Sequence, residues 1–180
     1  MKALSLLALV VLPSCYTAEQ LGLVTPAKWA TREAVQQACQ RAPADRFGAW
    51  GESVLAPQIG YGIASADKWD TTKMWMVWPI SSPDVALSFL WQGRDWSFFE
   101  IVEADQGIGM LPAKVTDRDA GPHLVSESID SQISLTKLRE CSSTGITFRL
   151  RGNRGFREVP LPPHFVQGFL AACDAAKVGQ

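Results

Sequence analysis

The alternation of hydrophobic and polar residues is most regular toward the C-terminus. Apolar and polar residues alternate over 146–150, which is the period of a half-buried strand, and a returning strand follows over 157–161. Residues 152–155 between them have the glycine and asparagine of a turn, and Pro163 suits the first turn of a helix. The apolar face of that helix consists of Phe165, Phe169, Ala172 and Ala176, with Val166, Leu170 and Cys173 beside them. This pattern predicts a β-hairpin covered by a closing amphipathic helix.

Strand patterns also fill the middle of the chain. Residues 74–80 are apolar on both faces, which predicts a strand covered on both sides. Alternation over 85–91, a turn over 92–95 and renewed alternation over 96–103 predict a second β-hairpin. An edge strand, a polar loop and a further strand are predicted over 110–115, 117–122 and 124–133.

Helices are predicted near both ends of the globular part. A threonine–proline step at 25–26 is typical of a helix start, and this helix should end before Pro43. Ser134 can cap a short helix in which Leu135 and Leu138 share a face. The sequence therefore predicts an α+β fold, with a mostly antiparallel sheet of about six to eight strands and an N-terminal and a C-terminal helix packed on it.

The first residues have the pattern of a bacterial lipoprotein signal. An apolar run over 3–12 has the length of a signal-peptide core and is too short to span a bilayer. The segment LPSC at 12–15 resembles a lipobox, which implies that residues 1–14 are removed and that Cys15 carries lipid. The alternative is an ordinary secretory signal cut nearby, which would leave Cys15 for a disulfide.

This signal predicts a protein of the cell envelope. We expect a signal peptide at 1–14, a lipidated Cys15 and tether at 15–25, and a single globular α+β domain at 26–180. Tyr16 after the cysteine, instead of aspartate, favours the outer membrane over the inner one, with the domain facing the periplasm. The expected partners are the membrane, through the lipid anchor, and an envelope protein.

Composition and motifs exclude several classes of function. The 180 residues, 47% apolar and 19% charged, suit one folded domain. A net charge of −1 lacks the basic excess that nucleic-acid binding requires. His123 and His164 have no second ligand at metal spacing, and Ser53 lacks the second glycine of a nucleophile elbow. We therefore expect no catalytic residue, no metal site and no cofactor.

The C-terminal unit resembles the C-terminal region of the invasion-associated locus B family and of similar small envelope proteins. In these, a short helix is followed by a hairpin with a Val-Pro-like step and by a helix containing Gly-Phe. The matching positions are Leu135, Leu138, Gly145, Phe148, Val159, Pro160, Leu161, Gly168 and Phe169. The resemblance covers roughly a quarter of the chain and implies no enzymatic motif, so it carries over no functional residue.

Four arginines of the C-terminal hairpin are candidate contacts for an anionic partner. They are Arg149, Arg151, Arg154 and Arg157. Such a basic face can meet anionic lipid head groups or an acidic protein. The alternative is a solvated outer face that protects a sheet edge from pairing.

Three cysteines remain if Cys15 carries lipid. Cys141 should lie near the start of the last helix, and Cys173 about 15 Å further along its axis. Since a disulfide needs α-carbons within about 7 Å, the candidate pair is Cys39 with Cys173. The alternative is three reduced, buried thiols.

The leading hypothesis is a membrane-anchored envelope lipoprotein of non-enzymatic type that acts through protein–protein contact. The competing hypothesis is an envelope hydrolase or glycan-binding module. It would use the aromatic and glycine-rich region 47–63 and the carboxylates near Glu100. Such a region is also typical of irregular β-structure, and Glu100 and Glu103 should point to opposite faces of their strand.

Overall fold

The computed structural model describes residues 29–42, 51–64 and 69–178. The predicted signal peptide, lipidation site and tether lie outside these residues, as does the start of the aromatic and glycine-rich region. The described chain has two antiparallel sheets and three helices. The predicted α+β class is confirmed, with helices near both ends of the chain packed on the sheets.

Eleven strands follow one another in the described chain, with a helix before the first, a helix after the last and a short helix between the ninth and the tenth. The strands are β1 (Gln40–Ala42), β2 (Ser53–Leu55), β3 (Ile59–Ala64), β4 (Trp69–Pro79), β5 (Asp84–Gly93), β6 (Phe99–Ala104), β7 (Gly109–Leu111), β8 (Ala113–Ala120), β9 (Val125–Ser134), β10 (Ile146–Gly152) and β11 (Gly155–Leu161). The helices are α1 (Arg32–Ala38), α2 (Leu135–Glu140) and α3 (Pro163–Val178). These strands outnumber the predicted ones because β1, β2 and β7 are too short to show a period.

The two sheets pack face to face. The large sheet has the order β1-β2-β4-β5-β9-β8, with β3 also paired to β4, and the small sheet has the order β11-β10-β6-β7. Aromatic rings join their inner faces. Phe89 and Phe148 meet edge to face with centroids 5.6 Å apart, and Trp91 and Phe99 at 5.4 Å. The core therefore lies between the sheets, and the outer face of the small sheet is left to solvent.

The predicted hairpin over 85–103 is wrong. β5 pairs with β4 and β9 in the large sheet, whereas β6 pairs with β10 and β7 in the small one. Between them the chain crosses from sheet to sheet through Ser97 and Phe98, and Phe98 has a φ of +53°. Glu127 of β9 accepts the backbone N–H groups of this crossing at 2.7–2.9 Å. These bonds replace the pairing that a hairpin would have provided.

The polar loop predicted at 117–122 is also wrong for most of its length. Residues 113–120 form β8, an edge strand paired with β9. Nearly all of β8 is exposed, so neither face carries the apolar alternation by which a strand is recognised. Pro112 separates it from β7, and at this residue the chain passes from the small sheet to the large one.

The N-terminal helix is shorter than predicted. Its predicted start lies outside the described residues, but α1 begins after Thr31, whose Oγ1 accepts the N–H of Ala34 at 3.2 Å. It ends at Ala38, and the residues from Gln40 on pair with β2 instead. The short helix α2 is confirmed, with Ser134 accepting the N–H of Lys137 at 3.1 Å.

The C-terminal hairpin and the helix after it are confirmed as elements, but the helix packs mainly on α1 and not on the hairpin that was predicted to lie beneath it. β10 and β11 pair through the turn at 152–155, and α3 begins at Pro163. Phe165 and Phe169 of α3 are buried. The helix packs on α1 and near β2, and Lys177 lies 5.2 Å from the ring centroid of Trp78. Among the described residues, no helix combines the length and the apolar character needed to cross a membrane.

Candidate functional site

The outer face of the small sheet is the strongest candidate for a contact surface. Its strands place an arginine in the middle of each of two cross-strand rows. Arg151 lies between Ile101 and Phe156. Arg149 lies between Glu103 and Glu158, and Met110 follows beside Glu103. We call the seven residues of these rows the outer patch.

The outer patch holds three of the large apolar residues that the described chain leaves exposed. Ile101 is 40% exposed, Phe156 52% and Met110 74%. The residues of the outer patch alternate along β6, β10 and β11 with the buried Val102, Leu150 and Val159, which face the core. Aromatic residues, methionine and arginine are enriched in protein–protein interfaces, so the patch has the composition of a contact surface.

The charges of the outer patch are balanced within the chain. Arg149 Nη2 lies 2.6 Å from Glu158 Oε1, and Arg151 Nε lies 2.8 Å from Glu103 Oε2. The hydrogen bond to Glu158 raises the pKa of the Arg149 guanidinium above its usual value. This guanidinium also lies 4.8 Å from the ring centroid of Phe156. The ion pairs therefore lie between the apolar side chains and leave no excess positive charge among them.

The other two arginines of the hairpin lie elsewhere. Arg154, in the turn, is 3.8 Å from Asp95. Arg157 points to the inner side, where its Nε and Nη2 each lie 2.7 Å from an oxygen of Asp70. Asp70 also accepts the indole N–H of Trp91 at 2.8 Å. The structure thus brings together two of the four predicted arginines on one face, and each of the four has a carboxylate partner within the chain.

The carboxylates of the hydrolase hypothesis are not brought together for catalysis. Glu103 pairs with Arg151, and Asp105 Oδ1 accepts the N–H of Thr147 at 2.9 Å. Glu100 lies at the β-bulge of β6, exposed and 4.0 Å from Arg118. Each of them therefore has a structural contact, and they do not face one another across a cleft.

The side chains with the chemistry of a nucleophile or a metal ligand also lie in separate parts of the fold. Ser53 is buried in β2, where its hydroxyl donates to Gly51 O at 3.1 Å. His123 is exposed, whereas His164 lies in the first turn of α3 with a buried Nε2 that meets no partner within the described chain. Across the part of the chain that the structure covers, no group of three His, Cys, Asp or Glu side chains could hold a metal ion.

The described part of the aromatic and glycine-rich region, 51–63, forms β2 and β3 beside β4. The hydroxyl of Tyr61 in β3 donates to the carbonyl of Pro160 in β11 and so joins the two sheets. A depression of about 260 Å³ lies beside this contact and is lined in part by Asp105 and Thr144. Its main polar groups already bond within the chain, so it offers little to a ligand.

Glu127 holds the crossing between the two sheets and was not among the residues predicted from the sequence. It is 1% exposed, and its two oxygens accept the N–H groups of Ser97, Phe98 and Phe99. Arg118 Nε lies 3.5 Å from the same carboxylate. One signal was present in the sequence: Glu127 falls on the apolar face of the predicted strand 124–133, where a charged side chain needs a partner.

The three described cysteines are free thiols. Cys39 is half-buried at the end of α1, and Cys173 is fully buried in α3. Cys141, also buried, follows α2. The bond between Cys39 and Cys173 is not formed in the structure, and their pairing stays a prediction.

Comparison with known proteins adds no relative to this picture. The described residues form a two-sheet α+β domain with an exposed, charge-balanced patch on its small sheet. No protein-family model, no curated protein and no solved structure matches the chain.

Proposed function

We propose that this chain is a membrane-anchored envelope lipoprotein of non-enzymatic type that acts through protein–protein contact. The anchor is Cys15, placed by the lipobox-like segment at 12–15 after an apolar run of signal-peptide length. The domain faces the periplasm, from the outer membrane in preference to the inner one. The resemblance to the invasion-associated locus B family is in keeping with an envelope role.

The observation that carries the contact role is the outer patch. A monomeric domain normally scatters its exposed apolar side chains singly. Here Ile101, Met110 and Phe156 lie on one face of a single sheet. The partner should therefore meet them with apolar side chains, while the arginine–glutamate pairs that lie between them set orientation more than affinity.

An anionic partner for Arg149, Arg151, Arg154 and Arg157 is the weaker part of the proposal. Each guanidinium lies within 4.0 Å of a carboxylate of this chain. An acidic partner would have to displace these carboxylates before it gained a new ion pair. Apolar contact at the outer patch requires no such exchange.

Membrane fractionation tests the anchor. Cys15→Ser in the full-length chain should move the protein from the membrane fraction to the soluble fraction and leave the precursor uncleaved at this site. Mass spectrometry of the wild type should find the lipid on Cys15. An unmodified Cys15, together with unchanged fractionation of the variant, would contradict the anchor.

Crosslinking in native envelopes tests the contact surface. Wild type should capture a partner that the double variant Ile101→Ser, Phe156→Ser loses, while the variant keeps its cooperative melting. Val178→Ser is the matched control, because Val178 is 88% exposed at the end of α3, away from the small sheet. Equal capture by all three proteins would contradict the role of the outer patch.

A further inference from the structure

Gly168 brings α1 and α3 into close contact. A β-carbon built on Gly168 would lie 2.5 Å from the carbonyl oxygen of Arg32 and 2.6 Å from the Cβ of Val35. A real side chain does not fit at these distances, so only glycine permits this approach. Val35 is the buried residue of α1 and is fully inaccessible. The two helices therefore lie closer than helices separated by larger side chains.

The same crossing places Cys39 and Cys173 at similar offsets along the chain from the point of contact. Cys39 follows Val35 by four residues, and Cys173 follows Gly168 by five. At 1.5 Å per residue, the α-carbons of both cysteines lie about 6–8 Å beyond the crossing, Cys39 as the C-cap of α1 and Cys173 within α3. A charge on Cys39 raises the pKa of Cys173, after the larger effect of burial. The two helices run in the same direction from the crossing, because Lys177 near the end of α3 lies 5.2 Å from the ring centroid of Trp78. Trp78 pairs with Val54, and Val54 pairs with Arg41, two residues after Cys39.

We propose that Cys39 and Cys173 form a redox-dependent disulfide that fastens α1 to the domain. Among the described elements, α1 packs mainly on α3. This role rests on the anchor proposed above: the predicted tether at 15–25 precedes α1 in the chain, so a pull from the membrane would reach the domain through this helix. The bond would transfer that pull to α3, which is buried along much of its length.

Disulfide exchange with a small-molecule or protein disulfide completes the bond. Cys39 is the less buried of the two residues, so its thiolate attacks the donor disulfide and releases one donor thiol. The thiolate of Cys173 then attacks Cys39 Sγ and releases the second donor thiol. The two protein thiols are oxidised to one disulfide, and the donor disulfide is reduced to two thiols that take up the two protons.

Burial sets the speed and the direction of this exchange. It raises the pKa of Cys39 from 9.0 to about 12 and that of Cys173 further still. Thiolate is therefore scarce near neutral pH, and uncatalysed oxidation should be slow. Burial disfavours the thiolate form of both cysteines, so the reduced protein is not stabilised by a thiolate. The disulfide, once formed, should therefore resist reduction by small thiols.

Cys141 is the matched control. It is buried as well, but it lies beside the early part of α3, where Ser142 O accepts the side-chain N–H of Gln167 at 2.9 Å. Cys173 is six residues further along α3 than Gln167, or about 9 Å. Loss of Cys141 should therefore leave the exchange between the other two sulfurs unchanged.

The test uses the purified chain incubated with oxidised glutathione, then alkylated and digested without reduction. We expect one crosslinked peptide pair, containing Cys39 and Cys173. We expect the oxidised protein to melt roughly 10 °C or more above the reduced one, as for closure of a long loop. Cys141→Ser should keep this gain on oxidation, and Cys39→Ser should lose it.

Two outcomes would overturn the proposal. One is a Cys141–Cys173 peptide, and the other is alkylation of all three of Cys39, Cys141 and Cys173 after prolonged oxidation. Peptide mapping of the wild type decides between them even if a variant fails to fold. Because neither membrane nor partner is present in the assay, its result does not depend on the function proposed above.

Discussion

Glu127 fixes the backbone of Phe98 in a left-handed conformation. Its Oε1 accepts the N–H of Phe98 at 2.9 Å, and the φ of Phe98 is +53°. A bulky residue with this φ is strained, and such strain persists only where the surroundings impose it. The carboxylate thus controls where the chain leaves the large sheet and enters the small one.

Glu127→Gln tests this control. The amide oxygen can still accept some of the N–H groups, but the amide nitrogen faces the N–H of Phe99, which Glu127 Oε2 accepts at 2.9 Å. A buried donor without an acceptor costs about 1–3 kcal/mol, and we expect a loss of that size in denaturant unfolding. Asp119→Asn, on the exposed strand β8, is the control. Equal midpoints for Glu127→Gln and wild type would show that the three bonds are dispensable.

Gly168→Ala tests the close approach of α1 and α3. Helix propensity alone would stabilise the variant by about 1 kcal/mol. The added β-carbon would instead meet the Arg32 carbonyl oxygen at 2.5 Å, so we expect a net loss of about 1–3 kcal/mol, as for an overpacked core. Thermal melting measures the sign. A gain in stability would mean that the helices are further apart.

Arg151→Glu separates stability from recognition. The variant places Glu beside Glu103 in place of the present ion pair. Because exposed ion pairs contribute little, the free energy of unfolding should fall by less than about 1 kcal/mol. The melting temperature should therefore change little, while capture of the proposed partner should weaken. A collapse of stability would mean that the pair is essential to the small sheet.

Alkaline pH should destabilise the reduced protein. The unfolded chain loses the proton of Cys39 near its usual pKa of 9.0, whereas the folded chain keeps it until about 12. Below 9 both states are protonated, so this thiol makes no contribution to the pH dependence. From 9 to 12 the unfolded state is increasingly favoured. Denaturant midpoints across this window should fall less steeply in Cys39→Ser, and an identical slope would contradict the raised pKa.

The sequence predicts the C-terminal unit well because its determinants are local. Alternation over 146–150, the turn at 152–155 and Pro163 each define their element without reference to distant residues. The pairing of β5 cannot be read in this way. Its partners β4 and β9 are chosen by packing, and the alternative hairpin is prevented by a bond to Glu127, thirty residues from Ser97.

The candidate surface is harder to predict than the fold. Phe156 and Ile101 are as apolar as the core residues beside them, and only the position of the second sheet decides which side is covered. The four arginines illustrate the same limit. Their spacing in the hairpin places Arg149 and Arg151 on one face, but the ion pair that draws Arg157 to Asp70 depends on a strand far away in the sequence.

The small sheet can be completed only late in the synthesis of the chain. At its centre, Val102 of β6 pairs with Leu150 of β10. The growing polypeptide therefore contains β6 long before it contains the strand that β6 needs, and pairings between such distant residues form slowly. A chain whose core closes only near its end cannot complete its fold until most of it has been made. A chain that has not completed its fold can be passed through a narrow membrane pore, where a folded domain cannot.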